Sequence, residues 1–85
     1  MKVNVDIIPY SEEACISLEY VPDADIKFDA HHNSLTIHAN AEGLLFLAKI
    51  CLTLAQDDTP NGSHIHFDGF NFVHSDAFDL TIARI

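Results

Sequence analysis

The chain has 85 residues, of which 48% are hydrophobic, so we expect one small folded domain over residues 1–85 and not a disordered segment. Thirteen acidic residues stand against four basic ones, and a net charge of −9 repels DNA and RNA but attracts a basic protein partner. The apolar run over residues 44–55 is too short to span a bilayer and contains Lys49 and Thr53. Residues 1–10 lack an apolar signal segment, so we expect a cytoplasmic protein.

The first half of the chain alternates apolar and polar residues, which is the pattern of half-buried strands. Prolines and the turn segment 31–34 divide it into four predicted strands. In the fourth strand, the alternation places Leu35 and Ile37 on the inner face and His38 on the outer face. The four strands are residues 2–8, 14–21, 26–30 and 35–39.

The periodicity changes at Asn40, a good N-cap residue that is followed by Glu42 in the first turn. Sixteen residues without proline then predict a helix over residues 41–56. At about 100° per residue, this helix has a narrow polar stripe and a broad apolar face, so we expect it to be covered on more than one side. The stripe comprises Glu42, Phe46, Lys49, Thr53 and Gln56, and the opposite face comprises Leu44, Leu47, Ala48, Cys51, Leu54 and Ala55.

This helix phase makes specific predictions of burial. Leu47 and Cys51 should be buried against the sheet, whereas Lys49 and Thr53 should be exposed. Phe46 lies among the polar residues, so either a neighbouring loop covers it or it marks an interface. The narrow polar stripe also favours a homodimer.

Residues 57–62 break the helix, with turn chemistry at Asn61-Gly62. Two further strands are predicted over residues 63–68 and 77–85, with a loop over residues 69–73. The order β-β-β-β-α-β-β predicts an α+β fold, in which one antiparallel-rich sheet of about six strands carries a single helix on one face.

Cys15 and Cys51 are the only cysteines, and both have apolar neighbours, so we expect reduced, buried thiols. A buried Cys51 would be a poor nucleophile even with His64 or His66 as a base, because an apolar environment disfavours the thiolate. Neither a cleft-forming pair of carboxylates nor a glycine-rich phosphate loop is evident. We therefore expect no enzyme and no cofactor.

The segment GSHIHFD, residues 62–68, places His64, His66 and Asp68 at alternate positions, so that in a strand all three share one face. Such a row offers two zinc ligands, but nothing in the sequence fixes a third. Together with His38, the same row also suits the surface of a protein partner, because histidine rings both stack and form hydrogen bonds. The remaining alternative is a solvated sheet face without a function.

The run NSLTIHANAEGLLFLAKICLTLA, followed by a short polar break and GSHIHFD, resembles the bacterial polymorphic-toxin immunity proteins of immunity protein family thirty-two. The resemblance leaves residues 1–30 unmatched, and Phe67 stands where leucine is expected. The matching features are a strand, the small-polar step Asn40-Ala41, the helix start Glu42-Gly43-Leu44-Leu45, a leucine-rich helix with Leu47-Ala48, residues 62–68 and the closing strand near residues 79–82.

The resemblance implies a non-catalytic protein that binds and neutralises a cognate toxin domain, without saying which residues touch the toxin. We expect the partner-binding residues to be His64, His66, Asp68, His38 and Phe46. A small metal-binding module that uses His64 and His66 is the alternative. An acidic inhibitor suits a basic toxin, and a nuclease, a deaminase and an ADP-ribosylating enzyme are equally compatible with this charge.

Overall fold

A computed structural model describes residues 1–19, 21–67, 73–74 and 80–85 of the chain. Its strands form two sheets, one with the order β2-β1-β4 and one with the order β3-β5. The fold is α+β, but the prediction of one six-stranded sheet is wrong. In chain order, the elements are β1 (Ile26–His31), β2 (Ser34–Ala39), α1 (Ala41–Leu54), β3 (His64–Phe67), β4 (Val73–His74) and β5 (Leu80–Ala83).

Strands β1 and β2 form the predicted antiparallel hairpin, whose register runs from Ile26 opposite Ala39 to His31 opposite Ser34. Strand β4 pairs with β1 in parallel, although the sequence predicted a loop up to residue 73. Among the described strands β2 is therefore an edge strand of its sheet.

Leu35 and Ile37 of β2 are exposed, although the alternation predicts that they face in. Ile37 lies opposite the buried Phe28, and directly paired residues share one face of a sheet. The two side chains thus lie on the core side of the sheet, but the buried core ends at β1.

The strands predicted over residues 2–8 and 14–21 are absent from the described residues, which exclude Tyr20. Alternation predicts an extended backbone, but a ladder also needs a neighbouring strand. The backbone at residues 8 and 10 bonds instead to a side chain: Gln56 Oε1 accepts a hydrogen bond from Tyr10 N at 2.9 Å, and Gln56 Nε2 donates to Ile8 O at 3.3 Å.

The core lies between α1 and the two sheets. Phe28 of β1 and Phe67 of β3 pack edge to face, with ring centroids 5.3 Å apart and planes at 87°, so one aromatic contact joins the two sheets. Among the residues whose burial the structure describes, the buried hydrophobic ones are Val21, Ile26, Phe28, Phe46, Ile50, Leu54 and Phe67.

Asn40 is the N-cap of α1, as predicted, and it also ties the helix to the segment before β1. Its Oδ1 accepts hydrogen bonds from Gly43 N at 2.7 Å and from Asp25 N at 3.0 Å. Its Nδ2 donates to Asp23 O at 2.8 Å, and its backbone N–H donates to Asp25 O at 3.1 Å. One side chain therefore serves the helix and the chain entering β1 at the same time.

At Gly43, the first turn of α1 lies close to the start of β1. A Cβ at this position would lie 2.5 Å from Asp25 O and 3.0 Å from Ile26 Cγ1, so no larger residue fits without a backbone shift. This contact turns the Gly43 side of the helix towards β1. Residues spaced by three, four and seven along a helix share a face, and the buried residues that follow are Phe46, Ile50, Thr53 and Leu54.

The helix phase predicted from polarity is therefore wrong. Phe46 and Thr53 of the polar stripe are only 8% and 1% exposed. Cys51 is exposed and Leu47 is only half-buried, whereas the side chain of Lys49 is largely buried. Phe46 and Thr53 of the predicted polar stripe face the core, and the apolar face points to solvent except at Leu54, which is buried. The helix ends at Leu54 rather than at residue 56.

The polar residues of the inner face are accommodated because each finds a hydrogen-bond partner. Thr53 Oγ1 donates to Lys49 O at 2.6 Å, and the hydroxyl of the buried Thr59 donates to Thr53 O at 3.2 Å. Lys49 Nζ extends to Glu19 Oε2 at 3.3 Å, which leaves its apolar stem free to pack. No buried polar side-chain atom in the described parts of the chain lacks a partner, so these residues cost little inside.

Arg84, just after β5, caps the C-terminal end of α1. Its Nη1 donates to Leu54 O at 2.7 Å and to Gln56 O at 3.1 Å. The last turn of the helix has no basic residue of its own, so Arg84 supplies the cation that the negative end of the helix dipole favours.

The close contact at Gly43 predicts that Gly43→Ala destabilises the protein, although a change from glycine to alanine in a helix usually stabilises it. In an ordinary helix interior, alanine stabilises relative to glycine by about 1 kcal/mol. Here Gly43→Ala should lower the free energy of unfolding by about 1–3 kcal/mol, because the new methyl group overlaps the Asp25 carbonyl. Urea denaturation measures this, with the exposed Glu42→Ala as a control that should change stability by less than about 0.5 kcal/mol. A Gly43→Ala protein more stable than the wild type would contradict the contact.

The helix phase predicts a large difference between two neighbouring apolar positions. Ile50→Ala should cost about 2–5 kcal/mol, because Ile50 is fully buried in the core. Leu52→Ala should lower the free energy of unfolding far less, because Leu52 lies on the exposed side of the helix. Thermal and urea unfolding of both variants measure the difference, and a greater loss at Leu52 would mean that the leucine-rich face is the buried one.

Candidate partner-binding site

Strand β3 has the alternation that the sequence predicts. His64 and His66 are exposed, Ile65 is half-buried and Phe67 is buried, so the two histidines share the outer face of the sheet. Their rings pack edge to face, with centroids 4.8 Å apart and planes at 85°. The structure thus brings these two predicted site residues together.

Both imidazoles are held in place by neighbouring polar groups. The Nδ1 atom of His64 lies 3.0 Å from Gly62 O, and because a carbonyl accepts, this nitrogen is the donor. The Nδ1 atom of His66 lies 2.8 Å from the hydroxyl of Thr81, which lies directly opposite on β5. The pair therefore presents oriented rings on the surface, with less rotational freedom to lose when a partner binds.

The other predicted site residues do not join this pair in one row. His38 is exposed on β2, in the other sheet, where it lines a shallow cavity of about 280 Å³ with Asp25 and Lys27. Asp68 lies outside the described residues. Phe46 is buried in the core, and no covering loop is identified among the described residues. Partner contacts by these residues stay predictions.

The described residues do not assemble a metal site. No group of three or more His, Cys, Asp or Glu side chains able to hold a metal ion occurs among them. His64 and His66 supply two imidazoles, and structural zinc sites have four ligands. The metal-binding alternative therefore gains no support from this geometry.

The cysteines differ from the prediction in one respect. Cys15 and Cys51 are free, as expected, but both are exposed, so the prediction that they are buried is wrong. Cys51 lines an open, apolar groove of about 280 Å³ between the end of α1 and the residues around Arg84.

Sequence reasoning missed the outer face of α1, which is apolar over its whole length. Polarity alone assigned this face to the core. The sequence signal for the buried side of the helix is its only glycine, Gly43, because a glycine in a helix interior often marks a close approach of another backbone. The face consists of Ala41, Leu44, Leu45, Ala48, Cys51, Leu52 and Ala55, and is called the outer helix face below.

In the part of the chain that the structure describes, no helix combines the length and the apolar character needed to cross a membrane. Searches of curated proteins and of solved structures find no match to this chain. The family model for Immunity protein 32 matches residues 34–85, which span the β2 strand, α1, the histidine pair of β3 and β5. Because this match covers more than half of the chain, the protein belongs to the Immunity protein 32 family.

Proposed function

We propose that this protein binds a cognate toxin domain and neutralises it without catalysing a reaction, in the cytoplasm of the cell that makes it. Membership of the Immunity protein 32 family is the observation that carries the proposal. The net charge of −9 supports a basic toxin as the partner and disfavours nucleic acid. We include self-association in the proposal, because α1 leaves an apolar face exposed.

The toxin contacts His64 and His66. Both side chains are exposed on a paired strand, and hydrogen bonds to Gly62 and Thr81 orient the rings. Oriented imidazoles offer both stacking surface and hydrogen-bonding nitrogens, and a rigid strand loses little conformational entropy on binding. These features support the histidine pair as a contact surface.

Co-expression tests the function directly. A candidate toxin domain taken from a neighbouring gene should arrest growth when it is produced alone, and this protein should restore growth and co-purify with the domain. Failure of both rescue and complex formation on a sizing column would defeat the proposal.

Replacing both histidines should separate binding from folding. His64→Ala with His66→Ala should change stability by less than about 0.5 kcal/mol per site, because both side chains are exposed. The affinity for the toxin domain should fall at least about tenfold, which corresponds to about 1.4 kcal/mol. Calorimetric titration and thermal melting measure the two quantities.

The hairpin turn offers a matched control. His31 and His32 are also exposed and also pack edge to face, with centroids 4.1 Å apart. His31→Ala with His32→Asn, where asparagine tolerates the positive φ of 55° at position 32, should leave toxin affinity unchanged. If both double variants lost toxin affinity equally, or if neither lost any, the toxin contact would lie elsewhere.

A further inference from the structure

The outer helix face differs from the exposed side of an ordinary surface helix, because it is apolar and not polar. Leu44, Leu45 and Leu52 are 56%, 41% and 43% exposed. The only charged residues of the helix are Glu42 and Lys49, which lie outside this face, and Lys49 bonds to Glu19. A charge-free strip on a chain of net charge −9 indicates an interaction surface.

The order of residues along this face is symmetric about Ala48. Leu45 and Cys51 lie three residues before and after it, Leu44 and Leu52 lie four residues before and after it, and Ala41 and Ala55 lie seven residues before and after it. Spacings of three, four and seven keep all of these on one side of the helix. Leucine therefore recurs at four residues and alanine at seven residues in both directions from the centre, whereas Leu45 is matched by the smaller Cys51.

A pattern of this kind fits a two-fold axis, because an isologous interface brings a surface patch against a copy of itself. We propose that the outer helix face binds a second copy of this chain, with the two α1 helices antiparallel and crossing at Ala48. Leu44 then lies against Leu52 of the second copy, and Leu45 against its Cys51. The alanines at seven-residue spacing let the two backbones approach closely.

The charges of the chain favour the same arrangement. Two acidic copies repel each other least when they meet through the face that carries no charge. The antiparallel order also places the positive N-terminal end of each helix beside Asp57 and Asp58, which follow the helix in the other copy.

The apolar groove beside Cys51 and Ala55 enlarges the surface at both ends of the pair. It includes Ile82 and the fully exposed Ile85. A helix of fourteen residues is about 21 Å long, and a stable dimer buries about 1,200 Å² or more in total, so this additional surface matters. The inference rests on the self-association in the proposed function, to which it gives a geometry. The histidine pair belongs to β3 and not to this face, so the inference does not depend on how the toxin binds.

Sedimentation of the full chain without toxin, across a micromolar to millimolar range, tests the dimer. The wild type should self-associate, and Leu52→Glu should weaken the association at least about tenfold, because it places two like charges in the interface. Leu35→Glu is the matched control, since Leu35 on β2 is 48% exposed and lies outside the face. Circular dichroism verifies that both variants fold.

Disulfide trapping tests the antiparallel geometry. In a chain with Cys15→Ser and Cys51→Ser, Ala48→Cys should form a covalent dimer on mild oxidation, because the two-fold axis brings the two copies of this position together. Ala55→Cys should not, because in antiparallel helices its two copies lie about 21 Å apart along the axis, far beyond disulfide reach.

Three results would overturn the inference. One is a monomer at every concentration. Another is loss of the dimer in Leu35→Glu but not in Leu52→Glu. The third is a monomeric protein whose Cys51 becomes protected from thiol reagents only when the toxin domain is added, which would assign the outer helix face to the toxin.

Discussion

The contact between Gly43 and the chain entering β1 fixes the rotation of α1, and therefore which helix residues face the core and which face solvent. Asn40 bonds to the helix and to the Asp23–Asp25 segment at the same time, and the absence of a Cβ at Gly43 lets the first turn lie against Asp25 O. Once this turn is fixed, helical geometry carries Ile50 into the core and turns Leu44, Leu45 and Leu52 outward. Thus one short junction decides both the composition of the core and the character of the exposed surface.

Several local features could be predicted from the sequence because neighbouring residues determine them. The β1–β2 hairpin, the cap at Asn40 and the alternation around His64 and His66 depend on turn chemistry and on the two-residue period of a strand. The family resemblance was also confirmed, since the matched region starts at residue 34 and includes the histidine pair.

The helix phase and the first two strands could not be predicted, because distant partners decide them. Thr53 resembles a surface residue, yet its hydroxyl bonds within the helix, so burial costs it little. Gln56 likewise looks like the end of a polar stripe, but it bonds to the backbone at residues 8 and 10. Polarity identifies a side chain that needs hydrogen bonds, and it does not show whether water or protein supplies them.

The rotation of α1 decides which residues form the core and which form the surface, and thiol reactivity measures that rotation directly. In a Cys15→Ser chain at dilute concentration, Cys51 should react with a thiol reagent at a rate close to that of the unfolded chain, because it is exposed. In a chain with Cys15→Ser, Cys51→Ser and Thr53→Cys, the thiol at position 53 should be protected to the extent set by opening of the fold, because Thr53 is buried. Protection of Cys51 together with fast reaction at position 53 would contradict the account, since the helix would then turn its leucine-rich face to the core.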